Sequence, residues 1–184
     1  EWQVRDVVRV DAERGIVWFE GMRDGATGRH LYRTVVDGAG AEPDGVVLLT
    51  PGVGTHSGRL SPDGRWVLDT WSAMDRLPTL RLLDGETGRV VRELGTAESG
   101  ASAEYAFAPK ERLAIPARDG YLLDATVMLP TELASGRSYP VFLPTYSGPD
   151  APSVRDAWSH SSYHQFLAQQ GFVILQVNVR SASG

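Results

Sequence analysis

Along the first hundred residues, apolar and β-branched positions gather in short runs separated by turn-forming residues. Runs at 4–10, 16–20, 29–36 and 46–50 make one group, divided by Glu13-Arg14-Gly15, Arg23-Asp24-Gly25 and Asp37-Gly38. Runs at 55–60, 65–72, 79–83 and 90–94 make a second, divided by Ser61-Pro62-Asp63-Gly64 and Asp84-Gly85-Glu86-Thr87-Gly88. The groups share a register: Gly15 and Gly64 precede the second strands and lie 49 residues apart, and Asp37 and Asp84 follow the third strands and lie 47 apart. A period of that size with four strands per unit predicts two blades of a β-propeller. The Ser-Pro-Asp-Gly turn has its own chemistry, since Pro62 presets φ, Asp63 bonds the backbone ahead and Gly64 takes positive φ without a steric penalty. Two blades neither bury their own faces nor close a ring, so more blades are expected before residue 1. Both ends of the chain read as cut from something longer.

The pattern changes after Glu98-Ser99-Gly100-Ala101-Ser102-Ala103, a run of small residues that reads as a connector. The domain boundary is placed there, giving units 1–103 and 104–184. Beyond it, runs at 112–117 and 122–129 flank Arg118-Asp119-Gly120-Tyr121 as a β-hairpin, and a third strand is expected over 140–145. Residues 154–170 read as a helix, with Trp158, Tyr163, Phe166, Leu167 and Gln170 at helical spacing and Gly171 as its left-handed cap. The run at 172–179, continuously apolar apart from Gln176 and Asn178, then reads as a strand, expected to form the open edge of the sheet. Strand, helix and buried strand make a βαβ unit with a parallel sheet, the opening half of an α/β-hydrolase domain. The fold class expected is therefore mixed: all-β propeller blades followed by the first half of an α/β hydrolase.

Composition narrows the function classes. The chain has 184 residues, 42% of them apolar, enough for a buried core. No apolar stretch reaches the roughly 20 residues of a transmembrane helix, and Glu1-Trp2-Gln3 opens without a basic and apolar leader. Twenty-three acidic against 18 basic residues give a formal charge of −5, which supplies no basic surface for nucleic acid. The absence of cysteine removes disulfides, cysteine nucleophiles and thiolate metal sites together. No glycine-rich phosphate loop or metal-ligand cluster is found, so no cofactor is expected. Localisation stays open between periplasmic or secreted and cytoplasmic.

Several stretches resemble one known family. They are Arg29-His30-Leu31-Tyr32-Arg33, His56 with the following Leu60-Ser61-Pro62-Asp63-Gly64, Tyr139-Pro140-Val141-Phe142-Leu143-Pro144-Thr145-Tyr146-Ser147-Gly148-Pro149, and residues 172–180. In this order they resemble the dipeptidyl peptidase IV branch of the prolyl oligopeptidase family of serine peptidases. Ser-Pro-Asp-Gly alone occurs in many propellers, whereas blades leading into Tyr-Ser-Gly-Pro are more specific. The resemblance implies a parent enzyme that releases dipeptides from the amino terminus of peptide substrates after proline or alanine, and a homodimeric parent. An acylaminoacyl peptidase or oligopeptidase of the same family is the nearest alternative; a non-catalytic propeller binding module is the alternative from another class.

Tyr146 is the one candidate catalytic residue. On residue type alone it is an aromatic capping a strand end, with its hydroxyl bonded to backbone or water. The resemblance assigns that hydroxyl to the oxyanion hole, and the position suits the role, because ligands bind in α/β sheets outside the carboxyl ends of strands. Gly148 and Pro149 are read as shaping the loop. Arg180 stands where the family often has Asp-Gly-Arg-Gly, but the sequence here is Asn178-Val179-Arg180-Ser181, and Arg180 is read as structural. His160 and His164 lie four apart, as a two-histidine metal site requires, but lack a third ligand and read as helix surface. His30 and His56 read as hydrogen-bonding residues within blades. No Gly-x-Ser-x-Gly elbow occurs, and in this fold the serine, acid and histidine all follow the fourth strand, so the chain by itself is expected to be inactive.

Overall fold

The computed structural model describes residues 2–23, 25–37, 40–41, 45–98, 107–146, 148, 152–159 and 161–182. The chain forms three sheets. The first is an antiparallel meander of β1 (Val4–Asp11), β2 (Ile16–Gly21) and β3 (His30–Asp37), whose far edge is shared by β4 (Gly40–Ala41) and β5 (Val47–Leu48). The second is the meander β6 (Thr55–Leu60), β7 (Trp66–Ala73), β8 (Arg76–Asp84) and β9 (Val90–Thr96). These two sheets are consistent with propeller blades and follow the expected strand pattern closely.

They adhere because alternate positions face one another. Ile16, Trp18, Leu31 and Leu49 of the first sheet and its connector share one buried cluster with Val67 and Leu83 of the second. Period-two alternation in β7 places Val67, Asp69 and Ala73 inside and Trp66, Leu68 and Thr70 outside. The expected turn is present: Gly64 takes φ +71°, and Asp63 accepts from the Ser61 hydroxyl at 2.6 Å and the Arg65 amide at 3.1 Å.

The third sheet is mixed. It has β10 (Lys110–Pro116), β11 (Leu122–Met128), β12 (Val141–Phe142) and β13 (Val173–Val177), in the spatial order β10-β11-β13-β12. Strand β13 runs antiparallel to β11 and parallel to β12, with α1 (Ser162–Gln169) crossing between β12 and β13. Ala108, Met128, Ala168 and Ile174 form its buried cluster, separate from that of the first two sheets. Among the described residues, no helix is long and apolar enough to cross a membrane.

Three expectations need correction. The strand expected at the open edge is interior: β13 fills the gap between β11 and β12, which leaves β12 as the edge and explains why residues 172–175 are apolar on both faces. The third strand is two residues long rather than six, because Pro144 has no amide to donate and no strand pairs beyond it. The helix begins at Ser162 rather than 154. Ser161 caps it by accepting from the His164 amide, and the preceding backbone is engaged elsewhere, the Val154 amide on Asn178, the Asp156 amide on Thr27 and the Trp158 amide on Ser72. The boundary expected at 103 lies outside the described residues.

Candidate functional site

Tyr146 stands four residues past β12, beyond the carboxyl end of that parallel strand. Its side chain is 57% exposed, and its hydroxyl makes no hydrogen bond among the described residues. A strand-end cap with a backbone-bonded hydroxyl is therefore not what the ring forms here. The ring lies across Gly148: a methyl group at that position would sit 2.5 Å from the phenolic oxygen and 2.7 Å from Cζ. Glycine at 148 lets the ring lie this close without displacing it. Ser147 and Pro149, the other members of the motif, lie outside the described residues.

The structure does not bring Arg180 to Tyr146. Its guanidinium pairs with both carboxylate oxygens of Asp119 and lies 4.5 Å from the centre of the Tyr121 ring, on the β10–β11 hairpin turn. Arg180 holds the Asp119 carboxyl below the usual carboxylate range, helped by the Tyr121 amide. This matches the structural reading of Arg180.

The histidines separate into two places. His30 and His56 lie in the blades with ring centres 4.7 Å apart. His56 Nδ1 is 3.1 Å from Asp69 Oδ2, and its Nε2 is 3.2 Å from the Gly52 carbonyl. Arg81 donates to the same Asp69 oxygen at 2.6 Å and to the Pro51 carbonyl at 3.2 Å, and Trp71 donates to the Val53 carbonyl at 2.8 Å. These side chains hold the segment joining the two blades. His164 lies on α1, where burial and the nearby charge of Lys110 hold its imidazole below the usual range. His160 lies outside the described residues, and among the described residues no three His, Asp or Glu side chains gather as a metal site requires.

Two positions escaped the sequence reading. Asn178 is buried, accepting from the Val154 amide at 2.8 Å and donating to the Val154 carbonyl at 3.0 Å. A polar residue at the end of an apolar strand was its only signal. Asp156 joins the blades to the third sheet. Its amide donates to the Thr27 carbonyl at 2.8 Å, its carbonyl accepts from Thr55 Oγ1 at 2.9 Å, and its carboxylate accepts from the Met74 amide at 3.1 Å. Arg112 on β10 reinforces the junction, 3.9 Å from the Asp156 carboxylate and donating to Thr27 Oγ1 at 2.9 Å. Nothing in the local pattern marked a tertiary contact of this range.

With this geometry in place, likenesses to known proteins agree with one another. Residues 1–78 match the family described as the dipeptidyl peptidase IV (DPP IV) N-terminal region. A probable dipeptidyl-aminopeptidase B of Emericella nidulans is 28% identical over 98% of this chain and 20% of its own length. Dipeptidyl peptidase 8 of Mus musculus is 26% identical over 99% of this chain and 21% of its own. In fold, the crystal structure of Porphyromonas gingivalis dipeptidyl peptidase 4 matches 96% of this chain and 24% of that one, with a TM-score of 0.82 at 24% identity. The chain thus spans about a fifth of the length of the curated relatives it matches. Matched over residues 1–78 by that family and over nearly its whole length by those relatives, the chain is similar to dipeptidyl peptidase IV-type peptidases.

Proposed function

We propose that the chain is part of a longer serine peptidase that releases dipeptides from the amino terminus of peptides after proline or alanine. In this reading residues 1–103 supply blades of a β-propeller, and residues 104–184 supply the opening half of an α/β-hydrolase domain. The two separate buried clusters, one in the blades and one around β13 and α1, support that division. The order β10-β11-β13-β12 with its parallel β12–α1–β13 crossover supports the hydrolase assignment.

The observation that carries the reading is Tyr146, exposed beyond the end of β12, its hydroxyl unbonded among the described residues and lying over Gly148. In an acyl-transfer reaction that hydroxyl donates to the carbonyl oxygen as it becomes an oxyanion, beside the backbone amide after the nucleophile. The chemistry also needs a serine, an acid and a histidine, and the chain has no Gly-x-Ser-x-Gly elbow. The 184 residues alone therefore hydrolyse no peptide.

The test compares chromogenic Xaa-Pro substrates with free and with acylated amino termini, using the 184-residue chain and a longer polypeptide that contains it. Turnover of the free-amine substrate by the longer protein alone is expected. Preference for the acylated substrate would replace the reading with an acylaminoacyl peptidase. Fluorophosphonate labelling of a serine within the 184 residues would overturn it.

A further inference from the structure

A cavity of about 300 Å³ lies between the third sheet, α1 and the loop that carries Asp156. Lys110 of β10, Thr126 of β11, Gln176 of β13 and His164 of α1 line it, with Arg155 and Ser159 from the loop. Its lining contains two basic side chains, Lys110 and Arg155, and no Asp or Glu among the described residues. The Lys110 ammonium donates to the Ser159 carbonyl, which engages one of its three donors, and no carboxylate lies within ion-pair distance of it among the described residues. The Thr126 hydroxyl and the Gln176 amide border the cavity and make no side-chain hydrogen bond among the described residues. Burial also pushes the Lys110 ammonium below its usual range, the direction expected of a cation without a counter-charge.

A half-buried charge is ordinarily paired. Thr126 and Gln176 can donate or accept, so the two cations decide the occupant: an anion supplies the counter-charge that Lys110 and Arg155 lack among the described residues, and a cation or an apolar group does not. We propose that this cavity binds a small oxyanion, a carboxylate or a phosphate, with Lys110 as its counter-charge and Thr126 and Gln176 as neutral donors. The site lies apart from Tyr146 and does not depend on the peptidase reading.

The experiment titrates inorganic phosphate into the 15N-labelled chain, with chloride holding the ionic strength constant, and follows the His164 imidazole and Thr126 amide resonances. A saturable shift of both is expected. Lys110→Met should weaken the affinity about tenfold, the effect of one charge-assisted hydrogen bond, and Thr126→Val should weaken it by a smaller factor while conserving shape. Arg92→Met, on the exposed strand β9, should change nothing. Shifts that never saturate, or an affinity unchanged in both folded variants, would overturn the proposal. A longer polypeptide containing the chain separates two sources of the same chemistry. Retained phosphate binding identifies a diffusible anion; lost phosphate binding together with a lower Tm for Lys110→Met identifies a carboxylate of the polypeptide itself. Neither result in the longer protein would also overturn the site.

Discussion

Asp69 sits fully buried between Arg81 and His56, and this arrangement sets its energetic weight. Removing one member of a buried ion pair leaves the other desolvated and unpaired, which costs about 3–5 kcal/mol. Asp69→Ala should therefore lower unfolding stability by an amount in that range and loosen the Pro51–Gly54 connector that Arg81, His56 and Trp71 hold. Urea unfolding of the variant checks this, and a loss below about 1 kcal/mol would mean the connector is held by packing alone. Exposed aspartates act differently. Asp63 and Asp84 are held below the usual carboxylate range, chiefly by the hydroxyls of Ser61 and Thr87 and then by backbone amides. A carboxyl with a lower pKa in the folded state contributes stability that is complete above its unfolded value, near 3.8, and is lost as pH falls through the lower folded values. Glu20 has the opposite sign, because burial raises its pKa and acid relieves that cost. The comparison is therefore made by difference: wild type minus Asp84→Asn should shrink as pH falls below about 4 and stay constant above about 5. A difference independent of pH would remove Asp84 from the acid response.

At the scale of elements, period-two alternation and turn chemistry made the blades readable, since β6 and β8 end in turns with their own residue signatures. The Gly171 position, where φ is +87°, was an equally local signal. What lay beyond local reading was the order of strands. Residues 172–179 look the same in a central strand as in an edge strand awaiting a neighbour, and only pairing with both β11 and β12 decides it. The helix start was misread because tertiary bonds from Asn178, Thr27 and Ser72 engage backbone that periodicity assigned to a helix. Tyr163 and Phe166, read as a helical apolar stripe, are 58% and 56% exposed, and Val141 on edge strand β12 is 58% exposed. Exposed apolar side chains near an unpaired strand edge favour association. Val141→Lys combined with Phe166→Glu should reduce dye binding and sedimentation of oligomers, while stability moves by no more than about 0.5 kcal/mol for each exposed position. Unchanged association would place the sticky surface elsewhere.

Across the whole molecule, Asp156 makes the blades and the third sheet one body through Thr27, Thr55 and Met74, with Arg112 beside its carboxylate. Asp156→Ala deletes the acceptor for the Met74 amide and should cost about 1–3 kcal/mol. The loss should fall on coupling: calorimetry is expected to resolve two transitions where the parent chain shows one, and a single transition at a lower temperature would contradict that. The same long-range contact explains why the class of the molecule was legible while its junction was not, for motifs such as Tyr146-Ser147-Gly148-Pro149 are contiguous and Asp156 acts across distant segments. The role of Tyr146 is the central claim, and the most direct measurement is kcat and Tm of Tyr146→Phe on one preparation of the longer peptidase. The substitution removes a hydroxyl that makes no hydrogen bond among the described residues, so Tm should hold. Loss of one oxyanion donor should lower kcat about 10²- to 10³-fold with KM little changed, because the bond strengthens as charge develops. Near-normal kcat in a folded variant would contradict the account and remove Tyr146 from the site.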